Sequence, residues 1–153
     1  MMSGYTGERL LLTLWVGSLW AIGYLAVPIA FANLETSIAG DYAGKLFFAV
    51  NILGIIAATI LLISRLFIFG FKRFHLYWRS WMLLLMLALS LTFIAYLQPE
   101  MQAIKQLAWQ SDIVLAERFG TLHKLSENLY MLLSLFGLML VLTTDKRSEA
   151  DEV

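Results

Sequence analysis

The clearest candidate for chemistry in this sequence is a histidine followed four residues later by a glutamate, His123 and Glu127. Residues four apart in a helix lie one turn apart on the same face. A carboxylate in that position can fix the tautomer of a histidine or join it as a second metal ligand. The pair therefore predicts a proton-handling or metal-binding site. The alternative is that the two residues lie at the interfacial end of a membrane helix and have no chemical role.

Small and polar residues recur at helical spacing in three apolar segments and could extend this site. Small residues let helix backbones approach each other, and polar residues can hydrogen-bond between helices. We therefore expect the three faces to meet inside a bundle. The faces are Thr13, Gly17, Trp20, Tyr24, Pro28 and Phe31 (the helix-one face); Gly44, Phe47, Asn51, Gly54 and Ala58; and His123, Ser126, Glu127, Tyr130, Ser134 and Gly137.

These faces have two interpretations. One is packing alone, because small and polar residues line the helix contacts of membrane bundles in general. The other is a ligand site or solute pathway, since ionisable residues near a membrane predict function by default. The residues predicted to line such a pathway are His123, Ser126, Glu127, Tyr130, Asn51, Tyr24 and Pro28.

Composition excludes several other kinds of site. The chain has no cysteine, which rules out disulfides, thiolate metal sites and cysteine nucleophiles. A closed zinc site lacks ligands, so His123 and Glu127 are the only metal candidates. His75 is predicted on the opposite side of the membrane, so one chain cannot supply two histidines to a haem. A haem held by one histidine, or shared between two copies, is a minor alternative, and the sequence indicates no other cofactor.

Nucleotide-binding and hydrolase signatures are also missing. The sequence contains no P-loop, no G-x-G-x-x-G, no G-x-S-x-G and no H-E-x-x-H. An enzyme is therefore not favoured. The 11 basic and 11 acidic residues leave no positive excess for binding nucleic acid.

Long apolar segments must position these residues. Hydrophobic residues make up 60% of the 153 and charged residues 14%, which is far from the composition of soluble domains. Spans of about 20 apolar residues, long enough to cross a bilayer, are predicted at about 10–31, 46–66, 77–97 and 121–142. Backbone groups in lipid must be satisfied internally, so each span should be a helix. We expect one all-α domain, an integral membrane bundle of four transmembrane helices.

Three other segments complete this prediction. Residues 100–119 mix apolar and charged side chains, which predicts an amphipathic helix at the membrane surface, with an extension of the third helix as the alternative. Residues 143–153 form a polar tail. In the first segment, Arg9 and the triplet Ala30-Phe31-Ala32 also allow a cleavable signal peptide.

The distribution of basic residues predicts the orientation. With four spans, the termini and the middle loop share one side, which carries seven of the 11 basic residues, and the other side carries four. The positive-inside rule then places both termini in the cytoplasm. A basic cluster in the middle loop, interleaved with aromatic residues, is typical of a membrane interface with anionic headgroups: Arg65, Lys72, Arg73 and Arg79.

Four local motifs carry a resemblance to a known family: Pro28-Ile-Ala-Phe31, Gly44-Lys-Leu-Phe47, Leu97-Gln-Pro-Glu100 and Phe119-Gly-Thr-Leu-His-Lys-Leu-Ser126. The chain resembles a family of small four-helix integral membrane proteins of unassigned function. That family is widespread in bacteria and related to the animal transmembrane protein linked with platinum-drug resistance. The family pattern has an asparagine seven residues after its histidine, where this chain has Tyr130. The resemblance implies a bacterial inner-membrane protein and no known reaction.

Three functions follow from these observations. The first is a binding or transport module for a small solute or a metal, which could form a homo-oligomer. The second is a structural or accessory subunit of a larger membrane complex. The third is a membrane redox protein that carries haem or a metal. In all three the lipid bilayer is the main partner.

Overall fold

Four long helices form the chain in the computed structural model, which describes residues 2–75, 77–107 and 111–143. Each helix is long and apolar enough to cross a membrane. Span 1 is Thr6–Asn33, span 2 is Thr36–Phe69, span 3 is Trp78–Lys105 and span 4 is Ile113–Leu142. The described residues contain no strand. The prediction of an all-α membrane bundle of four helices is confirmed.

Spans 1 and 3 share a local irregularity next to a proline. Span 1 passes from the α-helix Met2–Ala21 through the π-helical turn Ile22–Ala26 into the α-helix Val27–Asn33. Span 3 passes from the α-helix Trp78–Thr92 through the π-helical turn Phe93–Leu97 into the α-helix Gln98–Lys105. Each π-helical turn ends two residues before a proline, Pro28 or Pro99.

Proline chemistry explains why the helix widens there. Proline has no N–H, and its ring clashes with the carbonyl four residues earlier. In the wider turn, the N–H of Val27 donates to Ile22 O and that of Gln98 donates to Phe93 O, each five residues back. Before Pro28 the helix therefore forms a π-helical turn, a known cause of helix kinks. Pro99 does not end span 3, which continues to Lys105.

The segment between spans 3 and 4 differs from the single interfacial helix expected at 100–119. Its first residues continue span 3 to Lys105, and its last residues already belong to span 4, which begins at Ile113. Asp112 causes the new start, because its side chain accepts hydrogen bonds from the N–H groups of Val114 and Leu115 as a helix N-cap. Residues 108–110 lie outside the described part of the chain.

Salt bridges join the end of span 3 to the beginnings of spans 2 and 4. Lys105 donates to Asp41 of span 2 at 2.9 Å, and Arg118 pairs with Glu100. The end of the bundle at the span 3–span 4 connection is therefore polar, which fits a region beyond the hydrocarbon layer. The first turns of spans 2 and 4 extend into this region, because helices of 34 and 30 residues exceed the roughly 20 that a bilayer needs.

The middle of the bundle is a continuous apolar core. Its fully buried members include Trp15 and Leu19 of span 1, Val50 of span 2, Met86 of span 3 and Leu133 of span 4. Many large apolar side chains point outward instead, as expected for a bundle whose solvent is lipid. The first apolar segment is thus an integral part of the packed bundle.

Candidate functional site in the bundle core

A charged cluster closes the bundle at the end where span 1 begins and span 4 ends. Glu8 Oε1 of span 1 is 3.1 Å from Arg65 Nη2 of span 2 and 3.1 Å from Arg79 Nη2 of span 3. The two arginines are almost fully buried, with 2% and 4% of their surface exposed. Burying such charges is costly unless they are paired and hydrogen-bonded. Glu8 supplies the anion that both arginines need.

Span 4 joins the same cluster through its C-terminal end. Arg79 Nη1 donates to the backbone oxygen of Leu140 at 2.9 Å and also to the backbone and side-chain oxygens of Thr143. The last carbonyls of a helix have no partner within it and carry the negative end of its dipole, which favours a cation. The cluster of Glu8, Arg65, Arg79 and Thr143 (the terminal-end cluster) therefore connects all four spans.

This placement changes the interpretation of the basic cluster predicted from the sequence. Arg65 and Arg79 lie inside the bundle, where Glu8 holds them, rather than at its surface against headgroups. Arg73 is exposed in the loop. The side chain of Lys72 lies outside the described part of the structure. Glu8 is not among the residues predicted from the sequence, where its one signal is an acidic side chain just before the first apolar run.

Tyr130 of span 4 occupies the turn of span 1 that widens. Its hydroxyl donates a 2.7 Å hydrogen bond to Leu19 O, and the backbone of Gly23 is a second hydrogen-bond partner of the same hydroxyl. A β-carbon added at Gly23 would lie 2.3 Å from Tyr130 Cε1, so the ring rests directly on this glycine. In a regular helix the N–H of Gly23 would bond to Leu19 O. The hydroxyl of Tyr130 therefore stands between these two backbone groups.

Aromatic rings surround this contact. Phe47 of span 2 meets Tyr130 edge-on at 4.8 Å between ring centroids, and Phe93 of span 3 does so at 6.2 Å. Such edge-to-face pairs stabilise beyond the area they bury. The ring of Tyr130 thus contacts residues of spans 1, 2 and 3. Its hydroxyl is satisfied, so the arrangement is mainly a packing element.

Four other buried polar groups lack a partner. Within the described part of the chain, no hydrogen-bonding partner is found for Trp15 Nε1, Asn51 Oδ1, Ser80 Oγ or Ser90 Oγ, although the four residues are 0% exposed. Ser80 lies near the start of span 3, one residue from Arg79, and the other three lie deeper in the bundle. The side-chain nitrogen of Asn51 is satisfied, because it donates to Phe47 O at 2.9 Å. A buried polar group without a partner costs about 1–3 kcal/mol, and native proteins contain few of them.

Trp15 and Asn51 lie close together. The indole nitrogen of Trp15 is 2.5 Å from the position that a β-carbon on Gly54 would take. Asn51 precedes Gly54 by three residues on the same helix, which places the two on one face about one turn apart. The free donor of Trp15 therefore faces the same turn of span 2 as the free acceptor of Asn51.

Ser90 lies at the same depth on span 3. Spans 2 and 3 run antiparallel, and their register is fixed where Gln98 Nε2 donates to Gly44 O at 3.0 Å. From that point, Asn51 is seven residues further into span 2 and Ser90 is eight residues further into span 3. Span 3 uses one residue more than span 2 over this distance, because a π-helical turn such as Phe93–Leu97 has more residues per turn than an α-helix. We call Trp15, Asn51 and Ser90 the central polar site.

The other predicted pathway residues do not converge on this site. His123 Nε2 lies 3.2 Å from Glu127 Oε1, but the two side chains are 53% and 63% exposed on the outside of span 4. The ring of Phe119 stacks on that of His123. Ser126 is buried and satisfied by a 2.7 Å hydrogen bond to His123 O. Among the described residues, no group of three or more His, Asp or Glu side chains could hold a metal ion.

The helix-one face lies mostly at the surface beside span 4 rather than inside the bundle, which corrects the expectation that the three faces would meet there. Tyr24 and Pro28 are exposed. Trp20 is partly exposed and its Nε1 donates to Ser134 O at 3.3 Å, and the ring of Tyr24 lies 6.4 Å from that of Tyr130. A β-carbon added at Gly17 would meet nothing within 4 Å. Sequence periodicity shows that these residues share one face of a helix, but it does not show whether that face turns toward the bundle interior or toward its surface. The opposite face of span 1, with Trp15 and Leu19, is the one that packs inward.

The comparison with protein families covers most of span 1 and all of spans 2 and 3. A family model described as a domain of unknown function, DUF4149, matches residues 10–110. The chain belongs to this family. The DUF4149 match includes all three members of the central polar site. Glu8 and span 4, with Tyr130 and His123, lie outside it. Comparisons with the curated proteins and with the solved structures found no match.

Proposed function

We propose that this DUF4149 protein is a membrane module that binds and transports small uncharged polar solutes through the bundle core. One observation carries the proposal: the Oδ1 acceptor of Asn51 is fully buried in an apolar bundle and has no hydrogen-bond partner in the described residues. The unpartnered Trp15 Nε1 and Ser90 Oγ at the same depth support it. Buried groups of this kind bind water or a ligand in many proteins.

The chemistry of the central polar site indicates the class of solute. The indole of Trp15 only donates, the carbonyl oxygen of Asn51 only accepts, and the hydroxyl of Ser90 does both. A small neutral molecule with both donors and acceptors, such as water, urea or glycerol, satisfies all three. A metal ion is disfavoured, because the site has no charged or imidazole ligand.

The orientation and setting of the module are part of the same proposal. Seven basic residues on the side of the termini, against four on the other, favour a plasma membrane protein with both termini in the cytoplasm. The resemblance noted above supports a bacterial inner membrane and a distant relation to the animal protein linked with platinum-drug resistance. Assembly of several copies would shield the polar residues on the outside of the bundle.

The experiment is a flux measurement on purified protein reconstituted in vesicles. Stopped-flow light scattering would follow the entry of urea and of glycerol into vesicles with wild type and with Asn51→Leu. We expect wild type to speed entry of at least one solute over empty vesicles, and Asn51→Leu to lose that gain. Asn33→Leu is the matched control, because Asn33 makes the same type of bond to the carbonyl four residues earlier but is exposed. Equal flux through all three proteins would refute the proposal.

A second function is favoured by the helix-one face. Thr13, Gly17 and Trp20 lie with Leu138 and Val141 of span 4 along an open groove of about 340 Å³, and small residues let another helix approach closely. This observation favours an accessory subunit of a membrane complex. Purification in mild detergent should then recover a partner with wild type and lose it with Gly17→Leu. Recovery of the same partner with both proteins would exclude this face as the contact.

A further inference from the structure

The outward side of span 4 carries one regular stripe of residues. They recur at alternating intervals of four and three along the helix, which is the spacing of contact positions in coiled coils. Leu138 is half-buried and the other members are exposed, because spans 1 to 3 contact the opposite side of span 4. We call these residues the span 4 stripe. Its polar half is Glu117, Thr121, Lys124 and Asn128, and its apolar half is Met131, Leu135, Leu138 and Leu142.

Part of the polar half of the stripe lies within the depth of the membrane. Span 4 ends at Leu142, beside Thr143 of the terminal-end cluster, and the mostly apolar run before that end covers residues 129–142. This run has 14 residues, whereas a helix needs about 20 to cross the hydrocarbon layer. The layer therefore includes residues 123–128 as well. In a single copy of the chain, Lys124 and Asn128 consequently face lipid.

Asn128 is the member of the stripe that most needs a partner. Its side-chain amide can both donate and accept hydrogen bonds, and within the described part of the chain it makes none. Lipid tails cannot satisfy such a group, so polar amides in membrane helices bond to a neighbouring helix. Lys124 needs a partner less, because its long side chain can carry the ammonium group back toward the headgroups.

A second copy of the chain offers the matching group. Two copies inserted in the same direction place their fourth spans parallel and level, so each stripe residue meets its own equivalent across a two-fold axis. The amide of Asn128 can therefore pair with the same amide of the second copy. A single asparagine at a contact position favours two parallel helices and fixes their register. The apolar half of the stripe then packs against itself.

The residues beside the stripe are also compatible with self-association. Glu127 precedes Asn128, at a flanking position where coiled coils form salt bridges between helices. The two facing Lys124 side chains therefore have carboxylates of opposite charge beside them. A β-carbon added at Gly120, which borders the stripe one turn before Lys124, would meet nothing within 4 Å. A second helix can approach closely at such a small residue.

We infer that span 4 forms a parallel homodimer through the span 4 stripe, in which the two Asn128 amides hydrogen-bond to each other. This homodimer gives a contact surface to the assembly of copies proposed above, and it does not depend on solute transport.

Disulfide cross-linking in native membranes tests the surface, because the chain has no cysteine of its own. Leu135→Cys brings two cysteines together across the two-fold axis, and oxidation should give a covalent dimer of twice the chain mass. Ile60→Cys on span 2 is the matched control and should stay monomeric, because Ile60 is 51% exposed and Leu135 is 48% exposed. Equal cross-linking of the two variants, or an adduct of another mass, would overturn the inference. Dimers through Gly17→Cys alone would overturn it in favour of the helix-one face.

The role of Asn128 is tested with purified full-length protein in vesicles. Energy transfer between copies labelled at the N-terminus would follow the dimer as lipid is added. Asn128→Leu should raise the dissociation constant about fivefold, the effect of one hydrogen bond between membrane helices, and Asn128→Gln should restore most of the affinity.

Thr92→Leu is the control for this measurement. It removes an exposed hydroxyl of span 3 that donates to Ala88 O within its own helix, and it should dimerise as wild type does. An unchanged dissociation constant in Asn128→Leu would overturn the inference. Absence of energy transfer in wild type at every lipid content would also overturn it, whether or not the protein transports solutes.

Discussion

The hydroxyl of Tyr130 donates to the backbone carbonyl of Leu19 across 2.7 Å, which joins residues 111 positions apart in the sequence. The carbonyl belongs to the turn of span 1 just before the π-helical turn Ile22–Ala26. Insertion of a side chain into the hydrogen-bond ladder is a recognised cause of helix distortion. The widened turn of span 1 therefore has two causes on its two sides, Tyr130 before it and Pro28 after it.

Tyr130→Phe tests the first of these causes. The variant keeps the ring between Phe47 and Phe93 but leaves Leu19 O without this donor. We expect a loss of about 1 kcal/mol in the free energy of unfolding, as for a typical buried hydrogen bond. Unfolding in mixed micelles with increasing SDS would measure it. Tyr96→Phe is the control, because Tyr96 is half exposed on span 3; an equal loss in both would contradict the assigned role.

Gly23→Ala and Gly17→Ala form a matched pair on one helix. The new methyl at position 23 would lie 2.3 Å from the ring of Tyr130, whereas at position 17 it would meet nothing within 4 Å. Overpacking costs about 1–3 kcal/mol, so Gly23→Ala should lower the thermal unfolding midpoint. Gly17→Ala should leave that midpoint unchanged or raise it, because alanine favours helix over glycine. A higher thermal unfolding midpoint for Gly23→Ala than for Gly17→Ala would show that the ring of Tyr130 can move away from the new methyl group.

Glu8→Gln tests the terminal-end cluster. The change keeps the shape of the side chain but removes the negative charge that Arg65 and Arg79 share. Removing one partner of a buried ion pair costs about 3–5 kcal/mol, and we expect a loss near the lower value because Glu8 is partly exposed. Glu117→Gln, at an exposed position of span 4, should have little effect on unfolding. Similar unfolding midpoints for the two variants would mean that the buried positions of the arginines do not depend on the charge of Glu8.

Hydropathy was sufficient to predict the four spans, because a membrane helix must be apolar over a fixed length. Periodicity was sufficient to group Asn51, Gly54 and Ala58 on one buried face of span 2. Neither signal shows which way a face turns when lipid and protein interior are both apolar. For this reason the helix-one face was expected inside and lies outside, while Trp15 and Leu19 occupy the core.

Pairing between spans was the other property that the sequence did not reveal. Glu8 and Arg65 are 57 residues apart, and no local pattern connects them. Ser90 is one polar residue in an apolar run, and only the register between Gln98 and Gly44 places it level with Asn51. The π-helical turns also escaped prediction, since proline alone predicts a kink or an end but not an added residue.

The proposed orientation can be tested without a background signal, because the chain has no cysteine. Single cysteines would replace exposed Phe71 in the loop between spans 2 and 3 and exposed Gln106 after span 3. In intact cells, a membrane-impermeant maleimide should label Gln106→Cys and not Phe71→Cys. Both should react after the membrane is opened. Labelling of Phe71→Cys alone in intact cells would reverse the orientation.

His123→Ala separates the central polar site from the pathway predicted by sequence. His123 and Glu127 contact each other on the outside of span 4, whereas Asn51 is fully buried in the bundle core. We therefore expect His123→Ala to leave urea and glycerol flux unchanged in vesicles, while Asn51→Leu abolishes it. The opposite result would be a loss of flux in His123→Ala without a change in its unfolding, together with wild-type flux in Asn51→Leu. That result would place the pathway outside the single bundle. The outward-facing Tyr24, Pro28 and His123 would then line a passage between copies of the chain, and cross-linking in the membrane should detect that oligomer.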